Sequence, residues 1–218
     1  MILFFDLDGT ICDTLADLAG AVNATLEEYG FPRHEVAEYR KMVGNGLRRL
    51  LLRALPGDET EKKNGLVKMY PFLLKYYKEH LLDHTGPYPG VQEVLSKLRE
   101  AGCRLYVNTN KPQQEAAGIV DSIFPGVFAG VYGQREGFPL KPDPSVVIRI
   151  AEEEGVSPAE CWYIGDSDVD VETARNAGMR VIGCSWGFQG AEKLKQCGAD
   201  AVICSPLQIL SIIGIQGG

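Results

Sequence analysis

Ile2-Leu3-Phe4-Phe5-Asp6-Leu7-Asp8-Gly9-Thr10 opens as an unbroken apolar run and closes on two carboxylates one residue apart. Residues 2–5 lack polar alternation, as expected of a strand buried on both faces of a parallel sheet. Ligands of open parallel sheets gather at the carboxyl ends of the strands. Asp6 and Asp8 placed there would repel each other and lose hydration, so a bound cation or a shared proton is the expected reason for keeping them together. Gly9 permits a sharp turn and Thr10 offers a local hydrogen bond. Taken alone, the pair also reads as an ordinary acidic turn ending a strand.

Three later stretches repeat the pattern of a strand ending in chemistry. Leu105-Tyr106-Val107-Asn108-Thr109-Asn110 is a β-prone run closing on a hydroxyl and an amide. The Thr109 hydroxyl and the Asn110 backbone N–H are candidate donors to a phosphoryl oxygen, although such a pair also suits a turn or a helix cap. In Leu140-Lys141-Pro142-Asp143-Pro144, two prolines stiffen the backbone around one cation, and Pro144 suits the first turn of a helix. A lysine so held can neutralise a phosphoryl group as a point charge. Trp162-Tyr163-Ile164-Gly165-Asp166-Ser167-Asp168-Val169-Asp170 is another strand leading into a carboxylate cluster and a helix over 171–177. Asp166 stands where it could complete a cation site. Ser167 and Asp170 fit a capping-box variant, which accounts for Asp170 but not for Asp166.

The rhythm of the chain divides it. Residues 14–83 carry helical periodicity without a convincing strand, with apolar stripes at Leu15, Leu18, Ala19, Val22, Leu26 and at Leu47, Leu50, Leu51, Leu55. From Tyr88 onward a helix over 91–100 leads into strands expected at 103–108, 127–131, 161–164, 180–183 and 201–204, with intervening helices that favour right-handed parallel crossovers. The reading is therefore an α/β core of residues 1–13 and 84–218 with an inserted helical subdomain over 14–83. The apolar run 206–213 reads as a packed last helix.

Composition sets limits. A chain of 218 residues that is 45% hydrophobic can build a sizeable core. Its formal charge of −7 and the lack of a basic run with interleaved aromatics argue against nucleic acid as a partner. The six cysteines, at 12, 103, 161, 184, 197 and 204, show no metal-ligand spacing, so reduced thiols are expected. With no signal-peptide pattern and no apolar run of membrane-spanning length, a cytoplasmic location and no membrane partner are expected.

Taken together, Asp6-Leu7-Asp8-Gly9-Thr10, Thr109, Lys141 and Gly165-Asp166-Ser167 through Asp170 resemble, in order and spacing, the four motifs of the haloacid dehalogenase superfamily of phosphohydrolases. Tyr88-Pro89-Gly90-Val91, Val107-Asn108-Thr109-Asn110-Lys111-Pro112, Ala174, Ala177-Gly178 and Trp186-Gly187-Phe188 carry the likeness further, toward the phosphoglycolate phosphatase-like branch. The resemblance covers essentially the whole chain. It implies a Rossmann-like parallel sheet flanked by helices, with a small α-helical cap domain inserted.

The same resemblance implies site roles. Asp6 would be the nucleophile, giving an aspartyl-phosphate that water hydrolyses, and Asp8 the general acid and then base. Mg²⁺ would be held by the Asp6 carboxylate, the Asp8 backbone carbonyl and the Asp166 carboxylate. Thr109, Asn110 and Lys141 would cradle the phosphoryl oxygens, with Asp170 orienting Lys141 or a metal-bound water. Arg48, in the loop 44–48 of the insertion, is the candidate for pairing with a second anionic group on a small phosphorylated metabolite such as 2-phosphoglycolate. Nucleoside monophosphates, pyrophosphate and sugar phosphates stay open as substrates. A β-phosphoglucomutase-like phosphomutase would use Asp6 similarly, and a phosphorylated receiver-type regulatory domain is disfavoured by the insertion and the late Asp166 cluster.

Overall fold

The computed structural model describes residues 1–215. The chain begins with β1 (Ile2–Phe5) and the short β2 (Cys12–Asp13), then α1 (Leu15–Glu28), α2 (Val36–Tyr39), α3 (Gly46–Ala54), α4 (Glu59–Glu79) and the short β3 (Gly86–Pro87). Helices and strands then alternate through α5 (Val91–Glu100), β4 (Arg104–Pro112), α6 (Gln113–Ile123), β5 (Gly130–Gln134), α7 (Ser145–Glu153) and β6 (Trp162–Gly165). The chain ends in α8 (Asp168–Asn176), β7 (Arg180–Cys184), α9 (Gly190–Cys197), β8 (Ala201–Ile203) and α10 (Gln208–Ile212). Two compact units result, one of Met1–Asp13 with Pro87–Gly218 and one of Thr14–Gly86.

The first unit holds a six-stranded sheet in the order β5-β4-β1-β6-β7-β8, every pairing parallel. β1 is central because all four of its residues are apolar and can be covered on both faces. Phe4 lies in register with Tyr106 on β4 and Tyr163 on β6, and their rings stack at 5.7 and 6.5 Å. Val147, Ile150, Val171 and Ala174 from α7 and α8 share one apolar cluster with this aromatic row. Each fully buried large side chain of this kind contributes about 1.5–3 kcal/mol. From β1 the chain winds to β4 and β5 on one side, then returns to β6 and winds outward through β7 and β8. That reversal opens a crevice at the carboxyl ends of the central strands.

The strands depart from expectation in two places. β4 does not stop at Asn108 but runs on to Pro112, so Thr109, Asn110 and Lys111 belong to a strand. β5 begins at Gly130, three residues later than 127, because Phe128 packs edge-on against Phe5 and Phe124, at 6.0 and 5.9 Å, instead of pairing in the ladder. The six cysteines are all free thiols.

In the helical unit, α1 packs on α4 and α3, and both leucine stripes expected from the periodicity are buried. α4 starts at a capping box: Asp58 accepts from the Thr60 and Glu61 N–H groups at 2.8 and 2.9 Å, and the Glu61 carboxylate returns to the Asp58 N–H. Buried Asn23 of α1 exchanges two 2.9 Å hydrogen bonds with the backbone of His34 and accepts one from Tyr39 at 2.7 Å, fixing the α1–α2 connection. Among the described residues, no helix is long and apolar enough to cross a membrane.

Candidate active site

The candidate residues of the core unit converge at the carboxyl ends of β1, β4 and β6. Asp6 follows β1 directly and its N–H donates to the Ile164 carbonyl of β6 at 2.9 Å, which fixes where its side chain emerges. Gly9, at φ +83°, turns the chain away immediately afterwards. Asp166 follows the last residue of β6, and Asp170 sits in the first turn of α8. One carboxylate oxygen from each of Asp6, Asp166 and Asp170 lies within 4.8 Å of the other two, and all three residues are buried.

Lys141 enters this cluster from the loop before α7. Its side chain is 3% exposed, with Nζ 3.0 Å from Asp6 Oδ1 and 2.7 Å from Asp170 Oδ1. The loop is held by the Asn110 side chain, whose Oδ1 accepts the Lys141 N–H at 2.8 Å while its Nδ2 donates to the Lys141 carbonyl at 3.2 Å. Asn110 thus does more than offer a backbone donor, because it sets the path of the lysine. Asp170 serves two ends: Oδ2 accepts the Ser167 N–H and hydroxyl at 3.0 and 2.6 Å, as a helix cap, while Oδ1 faces Lys141.

Asp8 stands apart from the carboxylate trio. Its Oδ1 lies 2.7 Å from Nζ of Lys111, whose side chain is 1% exposed. The motif over 107–112 includes Lys111, but the sequence reading gives it no role. The β4–β5 register shifts between Asn108 and Pro112, so simple strand alternation does not say which way Lys111 faces. The Thr109 hydroxyl oxygen accepts the Lys111 N–H at 3.2 Å. Arg48 belongs to the helical unit and lies in the first turn of α3, not in a loop over 44–48, because the helix already begins at Gly46; its guanidinium stacks 4.2 Å above the Tyr70 ring.

The electrostatics are unbalanced. Four carboxylates, of Asp6, Asp8, Asp166 and Asp170, meet two ammonium groups, of Lys111 and Lys141, in a largely buried space. Burial, then repulsion from Asp170 and Asp8, push the Asp6 carboxyl up to about 7 against the pull of Lys141. Asp166 is raised well above the usual carboxylate range by burial and by Asp170 and Asp6, although Phe188 N–H and the Thr10 hydroxyl favour its charged form. Lys141 is also raised well above its ordinary value: burial disfavours its charge, but Asp170 and Asp6 outweigh burial and hold it protonated. A divalent cation beside Asp6 and Asp166 would supply the two missing positive charges, and the all-oxygen donor set suits Mg²⁺.

The haloacid dehalogenase-like hydrolase family model matches residues 3–184. The chain belongs to that family. This hydrolase is 32% identical to the phosphoglycolate phosphatase of Chromobacterium violaceum over 221 residues, covering 96% of this chain and 94% of that protein. It is 35% identical to the phosphoglycolate phosphatase of Caulobacter vibrioides over 210 residues, covering 94% and 87%. A crystal structure from Lactobacillus delbrueckii subsp. bulgaricus superposes with a TM-score of 0.88 at 30% identity, over 97% of both chains. The hydrolase is a phosphatase of this family, and its parallel sheet flanked by helices is the family architecture.

Proposed function

We propose that the protein is a Mg²⁺-dependent phosphomonoesterase that acts through an aspartyl-phosphate on Asp6, on a small phosphorylated acid such as 2-phosphoglycolate. The observation that carries the reading is the placement of the Asp6 carboxylate, 3.0 Å from the buried Lys141 ammonium and within a trio of carboxylates at the strand ends. Asp6 and Asp166, with the Asp8 backbone carbonyl, would hold the cation, which when bound offsets the negative charge that otherwise keeps nucleophile and phosphate apart.

In the first step an Asp6 oxygen bonds to phosphorus as the ester oxygen leaves, and Asp8 gives that oxygen its proton. In the second, water attacks the phosphoryl group, Asp8 takes a proton from it, and Asp6 and inorganic phosphate are released. Lys111 keeps the Asp8 carboxylate at a defined point between these two transfers. Lys141, the Thr109 hydroxyl and the Asn110 N–H meet the equatorial phosphoryl oxygens, where charge is spread in the transition state. Lys141 can do this without losing its orientation because Asp170 holds its ammonium at 2.7 Å. The substrate follows the two phosphoglycolate phosphatase relatives.

Phosphate release with Mg²⁺ or EDTA, across 2-phosphoglycolate, nucleoside monophosphates, pyrophosphate and hexose phosphates, tests the proposal. Loss of turnover in EDTA and the highest kcat/KM on 2-phosphoglycolate are expected. Equal turnover with the cation removed, or a clear preference for a nucleotide, would overturn the cofactor or the substrate respectively.

A further inference from the structure

Asp166 is held from two sides. Its Oδ1 accepts the Thr10 hydroxyl at 3.0 Å, and its Oδ2 accepts the Phe188 N–H at 2.7 Å. The segment that supplies Phe188 also reaches back to the other donor, because the Trp186 indole Nε1–H donates to the Thr10 carbonyl at 3.0 Å. The contacts therefore close into a ring: Asp166 to Thr10, Thr10 to Trp186, two residues along the chain to Phe188, and Phe188 to Asp166. Gly187, between the two, has no room for a side chain. A Cβ there would overlap Asp166 and the Gly9 carbonyl oxygen, so its backbone lies directly against the carboxylate. Beyond it, Gln189 accepts the Asp168 N–H at 2.9 Å and donates to the Asp168 carboxylate at 3.0 Å, tying the segment's far end to the start of α8.

We propose that Trp186 and Gly187 are positioning residues for Asp166, and that residues 186–188 form a clasp presenting its carboxylate to the divalent cation. The inference rests on the reading of Asp166 as a cation ligand and adds to it the part of the chain that aims that ligand. A clasp is needed because Asp166 sits among like charges. Left to itself, a carboxylate facing Asp6 and Asp170 turns away from them, and each hydrogen bond from the ring resists that rotation without satisfying all of the oxygen lone pairs. Partners that orient a ligating carboxylate typically change metal affinity 10- to 100-fold when removed.

The test is calorimetric titration of the whole chain with Mg²⁺ alone, without substrate, so that binding is read apart from turnover. Trp186→Phe keeps an aromatic side chain but deletes the N–H donor, and Thr10→Val keeps the shape but deletes the hydroxyl. Each should raise the Mg²⁺ Kd roughly tenfold, while far-ultraviolet circular dichroism and the urea unfolding midpoint stay close to those of the wild type. Because both donors belong to one ring, the double variant should lose clearly less than the product of the two single losses. A wild-type Kd in Trp186→Phe, or losses that multiply in the double variant, overturns the clasp. Should Trp186→Phe fail to fold, Gly187→Ala carries the test by the same criterion, with an unchanged Kd counting against the proposal. Asp166→Asn separates the two levels: wild-type Mg²⁺ affinity in that variant overturns the reading of Asp166 as a ligand, and the clasp with it.

Discussion

Replacing Lys141 by Met removes a charge that touches two buried carboxylates and leaves the volume of the side chain nearly unchanged. Lys141 Nζ is 3.0 Å from Asp6 and 2.7 Å from Asp170, at 3% exposure. Removing one member of a buried pair strands the other, at a cost of about 3–5 kcal/mol. The same ammonium is assigned to the phosphoryl oxygens, and losing one such donor costs about 10²–10³ in kcat. The two effects separate by pH and by a second substitution. Asp6 already sits at about 7, and losing Lys141 removes the charge that pulls it down, so this carboxyl's share of the deficit in urea unfolding should be small near about pH 5 and grow as pH rises through about 7. Lys141→Met with Asp170→Asn should recover part of the lost stability and none of the lost turnover. Wild-type kcat in folded Lys141→Met, or recovery of activity in the double variant, would refute the assignment.

Lys111→Met releases the Asp8 carboxylate from its 2.7 Å partner and should lower kcat by roughly 10²-fold in steady-state phosphate release, with a smaller change in KM. In the helical unit, Asp17 is buried, which by itself raises its carboxyl, but hydrogen bonds from Thr85 and His84 outweigh burial and hold it below its ordinary 3.8. Its contribution is therefore present above that value and lost as pH falls through the lowered one, so the Tm gap between wild type and Asp17→Asn should be level near neutrality and close only in strong acid. Leu73→Ala, at a fully buried position of α4, should cost about 2–5 kcal/mol in urea unfolding without reaching the carboxylate trio.

The parts of the fold that could be read from the sequence are those where local pattern and tertiary environment agree. β1 declared itself because Ile2 to Phe5 are apolar on both faces and stop at a carboxylate, and the leucine stripes of α1 and α3 are buried as their spacing requires. β5 was misplaced by three residues because it is a half-buried edge strand with no apolar contrast, while the apolar Val127 and Phe128 before it pack without pairing. Lys111 escaped because a lysine beside a proline reads as a loop until β4 is seen to carry it into the interior. Trp186-Gly187-Phe188 stood out in the sequence only by resemblance, since Trp186 and its acceptor at Thr10 are 176 residues apart and nothing local links them. Asp170 shows the opposite case, in which the capping reading and the lysine-orienting reading describe different oxygens of one carboxylate.

The covalent step on Asp6 is the center of the account, and it can be observed directly. Enzyme turning over 2-phosphoglycolate with Mg²⁺ is quenched in acid, digested, and the peptide carrying Asp6 examined by mass spectrometry. One phosphoryl group is expected on Asp6 during turnover, absent before substrate is added and absent in Asp6→Asn. Steady turnover with an unmodified Asp6 peptide, or wild-type kcat in Asp6→Asn, would contradict it.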